Sequence, residues 1–221
     1  MRGVRLAILS ALVAFVVGGG SARAETVYVT ADPFSPFGGE PAFISQYAQA
    51  DDGSLTQLSP WQVETPVGSN DNGSNVAEMV LSADGMSLYA ADNFNGRVVQ
   101  YDVAPDGQLT LKSPPFVSLG TALQFGADGL ALSPDGQSLY AASGDGQVFQ
   151  FDVDAGGLLQ PKVPASVSFG TIEGDVAVSP DGRWAWAWGR RRTASCRRRS
   201  PSRSGRRPGR RPRRRSWPWS R

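Results

Sequence analysis

Histidine is absent from the 221 residues, and cysteine occurs once, as Cys196. The first absence removes the commonest general base, the Ser-His-Asp and Cys-His arrangements, and the usual zinc and copper ligands. The second leaves everything upstream of Cys196 without a disulfide or a thiol nucleophile. A fold built there rests on burial and hydrogen bonding alone. Lysine is scarce as well, with only Lys112 and Lys162. Gly-rich phosphate-binding loops of the P-loop or dinucleotide kind are missing.

What is present divides into three compositions that average to a formal charge of +2. Residues 1–24 carry Arg2, Arg5 and Arg23 and no acid. Residues 25–189 hold all 20 acids against Arg97, Lys112, Lys162 and Arg183. Residues 190–221 carry 15 Arg with neither Lys nor acid. The first segment has the layout of an export signal: a basic start, an apolar run from Leu6 to Val17 broken only by Ser10, and Ala22-Arg23-Ala24 as the cleavage site. That run is shorter than the ~20 residues a membrane-spanning helix needs. Cleavage after Ala24, and a periplasmic or extracellular location free of the membrane, are the expectations.

The middle segment repeats. Val80-Leu81-Ser82-Ala83-Asp84-Gly85-Met86-Ser87-Leu88-Tyr89-Ala90 returns as Ala131-Leu132-Ser133-Pro134-Asp135-Gly136-Gln137-Ser138-Leu139-Tyr140-Ala141. A weaker copy runs from Ala177 to Trp184. Val99-Gln100-Tyr101-Asp102-Val103 and Phe149-Gln150-Phe151-Asp152-Val153 keep step with it, and Ile44-Ser45-Gln46-Tyr47 is an earlier copy of that half. Each repeat reads as four short strands punctuated by Asp-Gly, Asn-Gly or Gly-Gly turns. No stretch of residues 25–189 sustains a 3.6-residue apolar period. An all-β chain with four strands in about 50 residues is the pattern of β-propeller blades. A β-sandwich would need the same hairpins by coincidence.

The string Leu-Ser-Pro-Asp-Gly-x-x-Leu-Tyr-Ala-Ala, then Gly-x-Val-x-x-Phe-Asp-Val and Gly-x-Leu, resembles the lactonase-type seven-bladed propellers and their YVTN-repeat relatives, the 6-phosphogluconolactonase-like proteins. The likeness runs from Thr26 to near Trp188. It implies a propeller fold and, for the enzymes among these proteins, the opening of lactone rings at a central channel. The motifs are blade framework, so they carry no catalytic residue over to this chain.

Strand counting gives an incomplete ring. Val27-Tyr28-Val29 aligns with the second strand of a blade, and no Ser-Pro-Asp-Gly strand precedes it. The expectation is three strands of a first blade, two whole blades and two strands of a fourth. Propellers have about four to eight blades. Residues 190–221 are expected to be a disordered Arg-rich tail, the product of a frameshift in a GC-rich gene. Functional nucleic-acid binding by this tail is not expected in an exported protein, although its arginines and Trp217 and Trp219 are of the types that contact phosphates and stack on bases.

The candidate chemistry is acidic. The residue six before the turn aspartate, at the start of the inner strand, is Glu78 in one blade and Asp175 in another. The middle blade has Gly129 there, with Asp128 one position earlier. Carboxylates converging on a channel could orient a water for ester hydrolysis or hold a hard cation such as Ca²⁺; otherwise no cofactor is expected. Arg97 is the cation placed to meet an anionic ligand, beside the Asn95-Gly96 turn. Asn70-Asp71-Asn72-Gly73-Ser74-Asn75 has the start of a calcium loop, but Ser82 stands where a Glu is required. Phe34 to Gly39 lengthens the first hairpin. Tyr89, Tyr140 and Trp184 are read as one repeat position that packs blade against blade. Two functions remain open. One is a truncated scaffold or binding propeller, taking a protein or small molecule at its face. The other is a lactone hydrolase.

Overall fold

The computed structural model describes residues 12–15, 25–31, 41–66, 73–120, 126–170 and 174–189. Most of residues 1–24, where an export signal was expected, the Phe34–Gly39 insertion, Asn70 to Asn72 and the Arg-rich tail lie outside these residues. The described residues form strands and no helix.

Four antiparallel sheets follow one another along the chain. The first contains β1 (Leu12–Phe15), β2 (Glu25–Ala31), β3 (Phe43–Gln49) and β4 (Leu55–Glu64). The second contains β5 (Val76–Leu81), β6 (Ser87–Asp92), β7 (Arg97–Val103) and β8 (Leu109–Ser118). The third contains β9 (Ala127–Leu132), β10 (Ser138–Ser143), β11 (Gln147–Val153) and β12 (Leu159–Ser168). Only β13 (Gly174–Val178) and β14 (Ala185–Gly189) make up the fourth. The leading strands lie side by side, β5 against β1 and β9, and β9 against β13.

The first sheet differs from the strand count. Leu12–Phe15, part of the apolar run, pairs with β2 from Leu12↔Thr30 to Phe15↔Val27. An unpaired edge on β2 would leave a row of backbone donors and acceptors open, and a nearby segment satisfies them.

The turn between the first two strands of each blade is built by one aspartate and one serine. Asp84 Oδ1 accepts Ser82 Oγ at 2.6 Å and the Met86 N–H at 2.8 Å, while Ser82 Oγ accepts the Ser87 N–H at 2.9 Å. Ser133, Asp135, Gln137 and Ser138 repeat this set. So do Ser179, Asp181, Arg183 and Trp184. Gly85, Gly136 and Gly182 take the positive φ the turn requires. These bonds correct the alignment of the last copy: Trp184 stands at the place of Ser87 and Ser138, and Trp186 at that of Tyr89.

Hydrophobic cores lie between neighbouring sheets. Tyr28 and Ile44 meet Val76, Met79, Leu88, Val99 and Tyr101. Tyr89, Ala91 and Val98 meet Leu130, Leu139, Phe149 and Phe151. Ala142 and Val148 meet Val176 in a smaller cluster. This is why both faces of β6 are apolar and all six of its residues are buried.

Polar side chains lock the first two junctions in register. Tyr28 Oη donates to the Gly107 carbonyl at 2.7 Å, and Tyr89 Oη to Gly157 at 2.8 Å. The Leu109 N–H donates to Gln46 Oε1 at 2.6 Å, and the Leu159 N–H to Gln100 Oε1 at 2.7 Å. These glutamines sit where the β3–β4 and β7–β8 registers shift. Their amides reach the Pro60 and Pro114 carbonyls at 2.9 and 3.1 Å. A bulge interrupts the ladder, and the glutamine amide satisfies the carbonyl there.

Candidate functional site

Glu78, on β5, projects toward β9, where the Leu130 N–H donates to its Oε2 at 2.7 Å. The residue between the two inner strands' carboxylates is Gly129. A Cβ there would stand 2.5 Å from Asp175 Oδ1 and 2.8 Å from Asp175 Cα, so only glycine lets β13 approach this closely. Asp175 Oδ1 accepts its neighbour's Val176 N–H at 2.8 Å. Burial pushes the Glu78 carboxyl up to about 7; the Leu130 N–H opposes the rise, and the Asp175 charge adds to it. Two of the three expected carboxylates are thus electrically coupled across the middle blade.

Asp128 takes a different role. The β9–β10 register jumps from Ala142↔Gly129 to Ser143↔Ala127, which makes Asp128 the bulge residue. A bulge re-aims its side chain, and Asp128 accepts the Asn93 amide from the preceding blade. Asn93 itself is held by its N–H, which donates to Asn75 at 2.8 Å. Gly126 is confined to hydrogen because a Cβ would fall 1.7 Å from the Asn93 carbonyl oxygen.

Arg97 points inward. Its Nε donates to Asp92 Oδ2 at 2.8 Å, the guanidinium also donates to the Pro66 carbonyl, and its carbon lies 4.6 Å from the Phe116 ring centre. Both members of the ion pair are buried. Asp92 further accepts Asn95 Nδ2 at 2.9 Å and the Asn75 N–H at 3.3 Å. The cation expected at a ligand is therefore committed to holding the end of the second blade together. Among the described residues no group of three or more His, Cys, Asp or Glu is placed to hold a metal ion.

Asn93, Asp92 and the Leu130 N–H are partners of the candidate residues that sequence reasoning passed over. One signal was available. The loop after β6 reads Asp92-Asn93-Phe94-Asn95-Gly96, whereas its counterpart after β10, Gly144-Asp145-Gly146, has nothing amide-bearing. Gly129 was noticed as a gap in the acidic series. Its part in bringing two carboxylates together needed the neighbouring strand.

Four-stranded antiparallel sheets in succession, with leading strands side by side and cores between sheets, define a partial β-propeller. The model of the SMP-30/Gluconolactonase/LRE-like region matches residues 43–178, and the chain belongs to that family. Among solved structures, the periplasmic gluconolactonase of Pseudomonas aeruginosa is similar at 27% identity, with a TM-score of 0.55, over 73% of this chain and 43% of that one. The putative 6-phosphogluconolactonase of Bacteroides fragilis is similar with a TM-score of 0.57 at 18% identity, over 82% of this chain and 61% of that one. A Lactobacillus plantarum protein has 0.56 at 22%, over 75% and 47%. The chain therefore spans less than two thirds of each of these structures. No curated protein matches it.

Proposed function

We propose that this chain carries part of the channel-mouth site of an exported lactone-hydrolysing propeller, with Glu78 as the general base. The observation that carries this reading is the Glu78 carboxyl, desolvated and facing Asp175 so that it titrates at about 7. A base poised near the working pH is what ester hydrolysis asks of a protein without histidine. Glu78 takes a proton from a water that attacks the lactone carbonyl. The ring C–O bond breaks, the ring oxygen leaves as a hydroxyl after reprotonation, and a hydroxy acid results. Burial keeps Glu78 basic, with a smaller contribution from the Asp175 charge, while Asn93 and Asp128 shape the adjoining wall. Family membership and the gluconolactonase named above support the substrate class. The periplasmic neighbour and the apolar run before Ala24 support export.

Lactone opening by the purified chain tests this, followed with glucono-1,5-lactone in a pH-stat. The expected rate above buffer rises as pH passes through about 7, and Glu78→Gln lowers it by about 10²-fold or more. Equal rates for wild type, Glu78→Gln and buffer would overturn the enzymatic reading. They would favour a second one, a scaffold or binding propeller. Its supporting observation is the uncovered face of the last sheet, where Trp184, Trp186 and Trp188 are 65, 53 and 51% exposed.

A further inference from the structure

Asn95 is followed by Gly96 in the loop between β6 and β7. Asparagine before glycine is the pair most prone to react with its own main chain, because glycine has no Cβ to shield its nitrogen. In the folded chain the amide is held out of that reaction. Asn95 Nδ2 donates to the Gly73 carbonyl at 2.7 Å and to Asp92 Oδ2 at 2.9 Å. Gly96 is fixed as well: it takes a φ of 57°, and its carbonyl accepts the Leu119 N–H at 2.8 Å. Side chain and main chain are thus pinned from separate directions, by the segment before β5, the end of β6 and the residue after β8.

Asp92 makes residue 95 a place for an amide and not for an acid. Asp92 is buried and already accepts Arg97 Nε at 2.8 Å and the Asn75 N–H at 3.3 Å. A carboxylate at residue 95 would set an oxygen where the Asn95 nitrogen stands, 2.9 Å from Asp92 Oδ2 and 2.7 Å from the Gly73 oxygen. Acceptor would face acceptor at both contacts, and a second negative charge would compete for Arg97. The third blade shows the contrast. Its loop reads Gly144-Asp145-Gly146, with an acid before the glycine, and there Ser143 stands in the place of Asp92 at the end of the strand. Aspartate before glycine goes with a hydroxyl at the strand end, and asparagine before glycine goes with a buried acid.

We propose that Asn95 is a self-modification site: when the β6–β7 loop opens it cyclises onto the Gly96 nitrogen, and the acid that results cannot refasten the loop. The Gly96 nitrogen forms a bond to Asn95 Cγ, the bond from Cγ to Nδ2 breaks, and the Gly96 proton departs with that nitrogen as ammonia. Water then opens the succinimide ring at one or the other carbonyl, which gives aspartate or isoaspartate. Water is the only co-reactant the sequence of steps requires. Isoaspartate also places an additional carbon in the main chain before Gly96, which displaces the carbonyl that Leu119 uses. Asn93, in the same loop, reaches Asp128 on β9, so the change at residue 95 also loosens a contact between the second and third blades. The site stands on loop geometry and does not depend on lactone chemistry.

The full-length protein is incubated at mildly alkaline pH, folded and in concentrated urea, and residue 95 is followed by peptide mapping that resolves asparagine, aspartate and isoaspartate. The unfolded chain is expected to convert, and the folded chain to convert at least about tenfold more slowly, because conversion waits on opening. Arg97→Lys weakens the hold on Asp92; it should speed conversion of the folded chain several-fold and leave the rate in urea unchanged. Asn95→Asp reproduces one product, and its melting midpoint should fall by at least about 4 °C. Conversion of the folded chain as fast as in urea, no conversion in urea, or a folded-state rate that Arg97→Lys leaves unchanged would overturn the proposal. So would an Asn95→Asp variant that melts with wild type; if that variant does not fold, the conversion rates alone decide. Absence of lactone hydrolysis leaves these measurements untouched, so the two readings fail separately.

Discussion

The Leu130 N–H donates to Glu78 Oε2 at 2.7 Å, so the main chain of one blade fixes the carboxylate of its neighbour. The bond favours the charged carboxylate, and burial opposes it more strongly, which leaves Glu78 raised to about 7. A raised carboxyl contributes stability that is full below its unfolded value, near 4.5, and is lost as pH rises through about 7. Stability is therefore expected to fall between pH 4.5 and 8 by about 1–2 kcal/mol from this group, after allowance for partial solvent screening. Urea denaturation at the two pH values measures it. Glu78→Gln should flatten that slope and stabilise the chain at pH 8. An unchanged slope would rule out Glu78 as its source.

Gly129→Ala should cost about 1–3 kcal/mol. The added methyl meets Asp175 Cα at 2.8 Å and the Val176 nitrogen at 3.2 Å, which are main-chain atoms that cannot swing aside. β9 and β13 must then part, and the pH slope due to Glu78 should shrink as Asp175 moves away. A melting temperature within a degree of wild type would contradict this close packing.

Gln100→Ala and Gln150→Ala make the same chemical change at equivalent positions, with unequal consequences. The first leaves the buried Leu159 N–H and the Pro114 carbonyl without their partner, for a loss of about 2–3 kcal/mol. The second removes only a bond to the Pro164 carbonyl at an exposed site, and about 0.5 kcal/mol is expected. Chemical denaturation of the two variants side by side gives the difference directly.

Arg97→Ala leaves Asp92 buried without its cation, and a loss of about 3–5 kcal/mol is expected. Arg97→Lys should recover only part of it. A lysine keeps the charge but not the planar fork that reaches both Asp92 and Pro66 or the flat face that lies over Phe116. Urea midpoints of the two variants decide it. If Arg97 instead served a ligand, both would melt like wild type.

Strand order and blade boundaries were legible because they follow from local chemistry. Ser82-x-Asp84-Gly85 and its copies build their turns from bonds within five residues, so the repeat of the letters is a repeat of the geometry. Glu78 and Asp175 were found by the same spacing. Where side chains cross between blades, the letters alone were insufficient. Arg97 resembles a surface cation until Asp92, Pro66 and Phe116 are seen around it. Trp184 was placed with Tyr89 because both are aromatic, whereas the serine bonds put it two residues earlier. Leu12–Phe15 had one visible role, in an export signal, and an apolar run of that length is equally able to complete a sheet.

The pairs Tyr28–Gln46 and Tyr89–Gln100 face one way along the chain. Each blade grips the blade after it and does nothing equivalent for the one before. The Tyr and Gln bonds therefore run forward only, while Leu130 of the third blade reaches back to Glu78 of the second. Trimming from the last blade backward removes a gripped element and leaves every earlier grip intact. Trimming from the first blade forward strips the grip from a hairpin that stays. Loss from the two ends thus leaves different remnants: a tyrosine and glutamine without their hairpin at the trailing end, and a Gly-x-Leu tip without its grip at the leading one.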